Sequence, residues 1–492
     1  MSDTLTYCNP LPLPQYQAGR ACAHPCFKGP SFREMADPTV IKFEGRWYLF
    51  PSAGMLWHSD DMVNWEFHHL EEPFDPGYAP TVVVHGECLY LSASWDGSSI
   101  WRARNPLGPW EKLGTHGEDE DGNATWLKDE NGQPVRWGDP CLFVDDDGAL
   151  YCYCNLAEAT PAGDEHPYKL KPCEGVIYGV RLRADDPSRF AGAPVALIEF
   201  SPSRWWERYG EHNQMTAHPV LEGAWMTKHD GRYYLQYSSN GTEFKNYAVG
   251  CFTGNSPLGP FTAQQRNPIL IQRHGFVNGT AHHSVVDGPD GRLWCFYTVR
   301  INNVHPMERR IGMDLVLFDE NGEMYVDGPS SAPQFAPGQP RSGDAGLLPL
   351  SVNMNVNATS VRDGRDARYA VDDSIQTWWQ AADSKQAQSI TVDLAEKFDV
   401  TAARIVFADQ GLDYAAGIVP GPYRYRVWVS LDNKAWHIAI DRSSNTEERH
   451  IAYETCAPVK AQYARLEVLA APSGMEIAVA EFTVFGKPNF SV

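Results

Sequence analysis

The sequence predicts an all-β protein, a five-bladed β-propeller followed by a C-terminal β-sandwich of the jelly-roll type. Aromatic residues make up 12% of the 492-residue chain, with 16 Trp and 22 Tyr, and they are accompanied by 41 Gly and 36 Pro. This mixture is typical of short strands joined by many turns. Because a chain of this length exceeds what one hydrophobic core supports, we expect two domains, at residues 1–340 and 350–487.

A degenerate repeat predicts the propeller. Each copy begins with a short polar segment, continues into a strand, turns at Gly or Asp, and returns as a second, aromatic-rich strand. The five copies begin at opening residues Asp37, Ala79, Asp139, Glu222 and His282. Hairpins repeated in this way are typical of propeller blades, in which the first strand of each blade lies innermost. We therefore expect the opening residues to face one end of the central axis.

The second domain is predicted by a change in pattern. The segment Asp327–Pro349 is rich in Pro, Gly and Ser, which is typical of a connection between domains. From Leu350 onward, segments such as SITVDL and YRYRVWVSLD alternate polar and apolar residues. This alternation predicts the half-buried strands of an antiparallel sandwich.

The net charge of −21 disfavours two classes of partner. Nucleic acids and anionic membranes attract clustered Lys and Arg, so we expect neither. The first residues, Met1–Pro14, have neither the basic start nor the unbroken apolar stretch of a signal peptide, and no later segment reaches membrane-spanning length. We expect a cytoplasmic protein, and the sequence leaves its oligomeric state open.

The cysteines predict no disulfide framework. Their number, 11, is odd, and most lie inside apolar strand-like segments, where a reduced thiol packs as a small hydrophobic group. Cys22 and Cys26 have the spacing of half a zinc site, but no second Cys or His pair follows at zinc-ligand spacing.

Three opening residues are acidic, namely Asp37, Asp139 and Glu222. Hydrolysis of a glycosidic bond usually needs two carboxyls, one protonated and one ionised. An Asp that precedes Pro is also a common turn residue, so a structural role for each Asp is the alternative. Because the three acids come from different blades and should converge, we favour a catalytic pocket.

The segments ADPTV, SDDMVNW, GDPCLF, LEGAWMTKHDGRYYLQYS and AHHSVV together resemble glycoside hydrolase family 43, over roughly residues 30–330. The resemblance implies an inverting enzyme in which Asp37 is the general base and Glu222 the general acid. Asp139 would orient that acid and raise its pKa. The resemblance also implies that His282, or its neighbour His283, helps to hold a calcium or similar ion at the channel centre through waters. The chemistry itself would require no cofactor.

Four tryptophans near the blade openings are candidates for stacking on sugar rings: Trp57, Trp95, Trp137 and Trp225. The CH groups of a sugar face pack well on an aromatic plane. Tryptophan is also an ordinary core residue of propellers, which is the alternative for all four. We prefer Trp95 and Trp225, because they follow inner-strand positions closely.

The segments AVDDSIQTWW, ITVDL, VSLDNKAW and AEFTVFG resemble a discoidin-like (F5/8 type C) domain and the related family 32 carbohydrate-binding modules. This resemblance implies that Asp372, Thr377 and Glu481 contribute oxygen ligands to a structural calcium, since hard cations collect oxygens. Sugar binding by this domain and a purely packing role both stay open, because loops set specificity in such modules.

The resemblance implies an exo-acting hydrolase that releases terminal arabinofuranose or xylopyranose from an oligosaccharide or polysaccharide. Removal of galactose or another pyranose is the alternative within the same fold. A lectin-like propeller without catalysis is the alternative of another class, and it would require that one of the three acids be absent.

Overall fold

A computed structural model of the chain describes residues 5–16, 30–52, 54–68, 76–95, 100–113, 117–118, 124–125, 138–155, 175–217, 219–301, 303–305 and 307–488. In these ranges the regular structure consists almost entirely of β-strands, with short 3-10 helices at Trp205–Glu207 and Ala367–Ala370. The all-β fold class is confirmed. No helix in these ranges is long and apolar enough to cross a membrane.

Five four-stranded antiparallel sheets form the propeller blades, as the repeat predicts. Each blade uses four consecutive strands in chain order from the inside outward. The strands are, blade by blade, Thr39–Phe43, Arg46–Phe50, Leu56–Ser59 and Glu66–His68; Gly77–His85, Cys88–Trp95, Ile100–Ala103 and Glu111–Leu113; Gly138–Val144, Leu150–Asn155, Val176–Arg181 and Val195–Glu199; Leu221–His229, Arg232–Ser239, Ala248–Gly254 and Phe261–Ala263; and Asn278–Asp287, Leu293–Arg300, Arg309–Phe318 and Met324–Val326.

The inner strands surround the axis and contact one another. Thr39 Oγ1 donates a hydrogen bond to Pro80 O (2.7 Å), and Ser284 Oγ accepts one from Val40 N (3.0 Å), which joins blade 5 to blade 1. The inner strands of all five blades line an axial cavity of about 700 Å³ with residues that follow the blade openings along each strand. Its wall is mixed, with a valine or leucine from most blades and with charged residues such as Lys42, Lys228 and Arg292.

An eight-stranded antiparallel sheet forms the C-terminal sandwich. Its strands are Leu348–Pro349, Asn355–Ala358, Trp379–Gln380, Gln388–Phe407, Arg424–Ser430, His437–Arg442, Ile451–Ala470 and Ala478–Pro488. The 20-residue strand Gln388–Phe407 pairs with Asn355–Ala358 along one half and with Ala478–Pro488 along the other. A long strand that changes partner is how one sheet folds over to enclose a core.

The predicted connection between the domains contains two short strands in spite of its composition. Gln334–Phe335 pairs with Thr6–Tyr7 near the chain start, and Leu348–Pro349 pairs with Ala478–Pro488 of the sandwich. A further short pair joins Gly117–Glu118 to Ala124–Thr125.

The sandwich packs on the propeller through an apolar core that both domains share. Trp378, Val406 and Ile451 of the sandwich lie in one buried cluster with Trp294 and Phe296 of blade 5. The described cysteines are free thiols, as expected, and Cys22 and Cys26 lie outside the described residues.

Candidate active site

The backbone at the blade openings adopts an unusual conformation. The φ angle is 56° at Asp37, 50° at Ala79, 44° at Asp139, 53° at Gly223 and 41° at His282. A side chain in this left-handed region is uncommon and costs about 1–3 kcal/mol. In blades 2 to 5 a register shift of the first strand pair falls at the same place. Such bulges re-aim side chains and are over-represented beside active sites.

In blade 4 the left-handed residue is Gly223, so Glu222 lies one position earlier than the repeat alignment predicts. In the strand ladders Glu222 pairs with Ser238, as Gly138 pairs with Asn155. The prediction that Glu222 is equivalent to Asp37 is therefore wrong by one residue. A Cβ at Gly223 would lie 3.0 Å from both His282 Nδ1 and Ser238 Oγ. The opening position has no room for a side chain, and the preceding residue carries the acid.

Hydroxyl groups at the end of the second strand of a blade hold the opening residue of the next blade. The backbone N–H groups donate to these hydroxyls in the pairs Asp37 to Thr298 (2.9 Å), Ala79 to Ser52 (2.9 Å), Asp139 to Ser94 (2.7 Å) and His282 to Ser238 (2.8 Å). These hydroxyl residues were not among those predicted from the sequence. The available signal was a Ser or Thr at the close of the returning strand in most repeats.

The opening residues converge on His282. Its Nδ1 atom lies 3.3 Å from Asp37 Oδ1 and 3.9 Å from Asp139 Oδ2. Gly223, next to Glu222, approaches the same ring nitrogen. The structure thus brings Asp37, Asp139, Glu222 and His282 together at one end of the propeller.

His283 faces away from the carboxylates. Its Nε2 lies 2.8 Å from Gln236 Oε1, and burial, with a smaller effect of His282, lowers its pKa to about 3. His282 is therefore the histidine that faces the acids.

Asp37 is held in its ionised form. Ser52 Oγ donates to its Oδ2 (2.6 Å), and Arg309 Nη1 donates to its Oδ1 (3.2 Å). Burial alone would raise the pKa of Asp37, but Arg309, His282 and the Ser52 hydrogen bond outweigh it and lower the pKa below the ordinary 3.8.

The pKa of Glu222 is shifted in the opposite direction. Burial, followed by the charge of Asp139, raises the pKa of Glu222 to about 8, and a hydrogen bond from the Tyr247 hydroxyl to Oε1 (2.7 Å) opposes part of this rise. The pKa of Asp139 is also raised, first by burial and then by the charge of Asp37, against the attraction of His282. Two neighbouring carboxyls with pKa values moved apart can serve as an acid and a base.

Arg309 is a site residue that the sequence analysis missed. Its Nε and Nη2 donate to Glu34 Oε1, the first at 2.9 Å, and the Tyr78 hydroxyl donates to Glu34 Oε2 (2.7 Å). Arg309 Nη1 also donates to Thr242 Oγ1 (3.2 Å). The available signal was the charged start of the otherwise apolar strand in MERRIGMDLVLF, since a buried arginine requires an acidic partner.

The tryptophan predictions have different outcomes. Trp57 has no exposed surface, and its Nε1 donates to Pro14 O (2.8 Å). The prediction that Trp57 stacks on sugar is wrong, because its ring is a core element. Trp225 is half-buried and lines the axial cavity, whose lining does not include the acids, and its stacking on sugar stays a prediction. Trp95 ends its strand but its side chain lies outside the described residues, as does the whole of Trp137.

The axial calcium, which the resemblance places at the channel centre through waters, stays a prediction. Calcium prefers oxygen ligands, whereas the described contacts of the His282 ring are made by Nδ1 with carboxylates. Three oxygens of those carboxylates, both of Asp37 and Oδ1 of Asp139, already accept hydrogen bonds from Ser52, Arg309 and Ser94. Within the described ranges no group of three His, Cys, Asp or Glu side chains is arranged to hold a metal. The residues do not fit a directly bound ion.

Asp372 and Glu481 of the predicted sandwich site belong to no such group of three among the described residues either, but their oxygen chemistry fits a hard cation better. Thr377 Oγ1 donates to both oxygens of Asp372 (3.0 and 2.9 Å). Glu481 is completely buried, and among the described residues its Oε2 has no hydrogen-bond partner. Burial first, and then the charges of Asp373 and Asp372 against that of Arg404, raises its pKa to about 8. A buried carboxylate oxygen without a partner, near other acids, suits a hard cation.

Comparisons with known proteins agree with the fold of both domains. Residues 31–324 match the family described as Glycosyl hydrolases family 43, and residues 355–482 match the F5/8 type C domain. Since the first match spans more than half of the chain, the protein belongs to glycosyl hydrolases family 43.

Two curated relatives and one solved structure show the range of similarity. A Beta-xylosidase from Xylanibacter ruminicola is 32% identical over 173 residues, which are 31% of this chain and 47% of that protein. The Xylosidase/arabinosidase 43A of Humicola insolens is 26% identical over 342 residues, which are 60% of this chain and 97% of that protein. A thermostable family-43 glycoside hydrolase has a similar fold, with a TM-score of 0.51 and 24% identity, over 69% of this chain and 100% of the other.

Proposed function

We propose that the protein is an exo-acting, inverting glycoside hydrolase that releases terminal arabinofuranose or xylopyranose. Asp37 is the general base, Glu222 the general acid, and Asp139 the carboxylate that raises the pKa of that acid. The observation that carries the proposal is the opposite direction of the pKa shifts at Asp37 and Glu222. One ionised and one protonated carboxyl at neutral pH are what inverting hydrolysis requires.

In this reaction Glu222 donates its proton to the glycosidic oxygen while the bond from that oxygen to the anomeric carbon breaks. A water molecule attacks the same carbon from the opposite face, and Asp37 accepts a proton from the water as the new C–O bond forms. The configuration of the anomeric carbon inverts. After release of the products, Asp37 gives its proton to solvent and Glu222 takes one up.

The neighbouring side chains prepare both acids for these steps. Arg309 and Ser52 hydrogen-bond to different oxygens of Asp37, which fixes the plane of the carboxylate and keeps it ionised. The Tyr247 hydroxyl holds Oε1 of Glu222, which orients the carboxyl without removing its proton. The backbone strain at Asp37 and Asp139 is consistent with a preorganised site.

The choice of sugar is supported by the names of the two relatives, which point to xylose and arabinose. Hydrolysis of 4-nitrophenyl α-arabinofuranoside, β-xyloside and β-galactoside tests it, with Asp37→Asn as the inactive control. We expect turnover of the first or second substrate and loss of that turnover in the variant. Release of single sugars from xylo- and arabino-oligosaccharides checks the exo mode.

Two outcomes would contradict the proposal in different ways. Hydrolysis of the galactoside alone would overturn the choice of sugar but keep the acid and base. Binding of oligosaccharides without hydrolysis of any substrate would favour a lectin-like propeller and overturn the enzymatic function.

A further inference from the structure

The propeller face that meets the sandwich carries two buried arginines, Arg33 and Arg310, each 1% exposed. Arg33 Nη2 donates to Asp409 Oδ1 (3.2 Å), its Nε lies 2.7 Å from Asp409 Oδ2, and its Nη1 donates to Glu448 Oε1. Arg310 Nε donates to His450 Nε2 (2.7 Å). Asp409, Glu448 and His450 all belong to the sandwich. Because removal of a carboxylate partner leaves a buried charge uncompensated, Arg33 depends on the sandwich for its charge partners. Arg310 lies 3.6 Å from Glu308 of its own domain and depends on the sandwich for the acceptor of its Nε.

The residues next to these arginines in the sequence point away from the sandwich. Glu34 follows Arg33 and Arg309 precedes Arg310, and both Glu34 and Arg309 lie in the carboxylate site, where Arg309 contacts Asp37. Successive side chains of an extended segment point to opposite sides. One side of each segment is therefore bound by the sandwich, and the other side carries a residue of the site.

The two segments also bind each other through one backbone hydrogen bond and one side-chain hydrogen bond to the backbone. Met35 N donates to Arg309 O (3.1 Å), and Arg310 Nη1 donates to Arg33 O (2.8 Å). A displacement of Arg33 or Arg310 would therefore be transmitted within one residue to Glu34 and Arg309. A misplacement of about 1 Å in a catalytic constellation can cost on the order of 100-fold in rate.

We propose that the sandwich domain is a structural part of the active site, in which Asp409, Glu448 and His450 are positioning residues. They hold Arg33 and Arg310 and, through them, keep the Glu34–Arg309 pair against Asp37. This inference rests on the proposed function, in which Asp37 is the base. It gives the sandwich a role in the hydrolysis itself, whether or not the domain binds sugar.

Substitutions at His450 test the proposal at a single position. His450→Leu leaves Arg310 Nε without its acceptor, whereas His450→Gln supplies an amide oxygen of similar reach. We expect His450→Leu to lower kcat/KM of the preferred aryl glycoside about tenfold, mainly through kcat, and His450→Gln to stay within about twofold of the wild type. Equal rates for the wild type and His450→Leu would overturn the proposal.

A matched control separates positioning from loss of stability. Glu454 accepts hydrogen bonds from Arg442 (2.8 Å) and Tyr425 (3.0 Å), entirely within the sandwich. Glu454→Gln should lower the melting temperature but leave kcat/KM within about twofold. Equal losses of kcat/KM in Glu454→Gln and His450→Leu at matched stability would show general destabilisation and overturn the proposal.

A double-mutant cycle with Arg309→Met tests whether His450 acts through Arg309. If it does, His450→Leu should change kcat/KM by less than about twofold once Arg309 is absent. Additive losses would overturn the proposal. Should His450→Leu fail to fold, Glu448→Gln takes its place in the same cycle, because it removes a negative charge that compensates the buried Arg33 while keeping the shape of the side chain.

The failure of the proposed function would be recognised separately. If the wild type hydrolyses none of the three glycosides, the rate of hydrogen exchange at the Met35 amide measures, without a substrate, how firmly the sandwich holds the segment that carries Glu34. Faster exchange in Glu448→Gln than in Glu454→Gln would support the positioning of this segment by the sandwich, and equal exchange would overturn it.

Discussion

Glu222 in the propeller and Glu481 in the sandwich are both glutamates whose pKa rises to about 8, chiefly through loss of contact with solvent. Their surroundings differ. Glu222 is partly exposed, accepts a hydrogen bond from Tyr247 and lies near Asp37, whose pKa is lowered. Glu481 is completely buried, accepts a hydrogen bond from Thr483 and has one oxygen without a partner among the described residues. A raised pKa alone therefore does not identify an acid catalyst, which also needs access and a neighbouring base.

The largest expected difference between the two glutamates is in catalysis. Glu222→Gln should lower kcat on an oligosaccharide by about 10³-fold, because an amide cannot protonate the leaving oxygen. Glu481→Gln should leave kcat within about twofold, since its carboxyl touches no substrate. Steady-state kinetics of both variants, with circular dichroism as the folding control, measure this contrast. Wild-type activity in Glu222→Gln would remove Glu222 from the acid role.

Arg309→Met removes the cationic partner of Asp37, the base that distinguishes the surroundings of Glu222 from those of Glu481. We expect kcat/KM at neutral pH to fall about 10²-fold, through misplacement of Asp37. Since Arg309 is the strongest influence that lowers the pKa of Asp37, the acidic limb of the pH profile should also move to higher pH. Arg309→Lys, which keeps the charge, should retain the position of that limb. An unmoved limb in Arg309→Met would contradict the assignment of Asp37.

The pH profile of the wild type directly tests the opposite pKa shifts of Asp37 and Glu222. Glu222 acts as an acid only while protonated, so kcat/KM should fall about tenfold per pH unit above pH about 8. Asp37 acts as a base only while ionised, so the acidic limb should lie below its ordinary 3.8. Glu481→Gln should not change either limb. An alkaline limb near the ordinary glutamate value of 4.5 would contradict the raised pKa of Glu222.

The smallest expected effect concerns calcium and the stability of the sandwich. The pKa of Glu481 is about 8 in the folded state against 4.5 ordinarily, so stability should decline as pH rises through this window, because the unfolded carboxyl ionises first. A cation bound at Glu481 would replace the proton. Calcium should therefore raise the melting temperature at pH about 8 by about 2–4 °C in the wild type but not in Glu481→Gln. An equal response in both proteins would contradict this site.

Much of the fold was predictable because each blade repeats one local pattern. Alternation within short strands and turns between them predicted the five blades and the sandwich, and the polar openings predicted that Asp37 and Asp139 converge. The position of Glu222 was predicted one residue out of register, because a bulge with Gly223 at its left-handed position leaves no regular spacing in the sequence.

Other features depend on contacts between distant segments, which a single sequence does not specify. Arg309 reaches Asp37 across 272 positions of the chain. Trp57 satisfies the same aromatic pattern as a sugar-stacking residue, but the N-terminal segment covers it through Pro14. The arginine pairs with the sandwich likewise join residues that are far apart in sequence.

The most direct test of the central claim, an ionised Asp37 that activates water opposite a protonated Glu222, is the configuration of the first product. Proton NMR spectra recorded early in the hydrolysis of a β-xyloside distinguish the anomers before they interconvert. Direct attack by water predicts that α-xylose appears first. First appearance of β-xylose would show retention through a covalent intermediate and would contradict the roles assigned to Asp37 and Glu222.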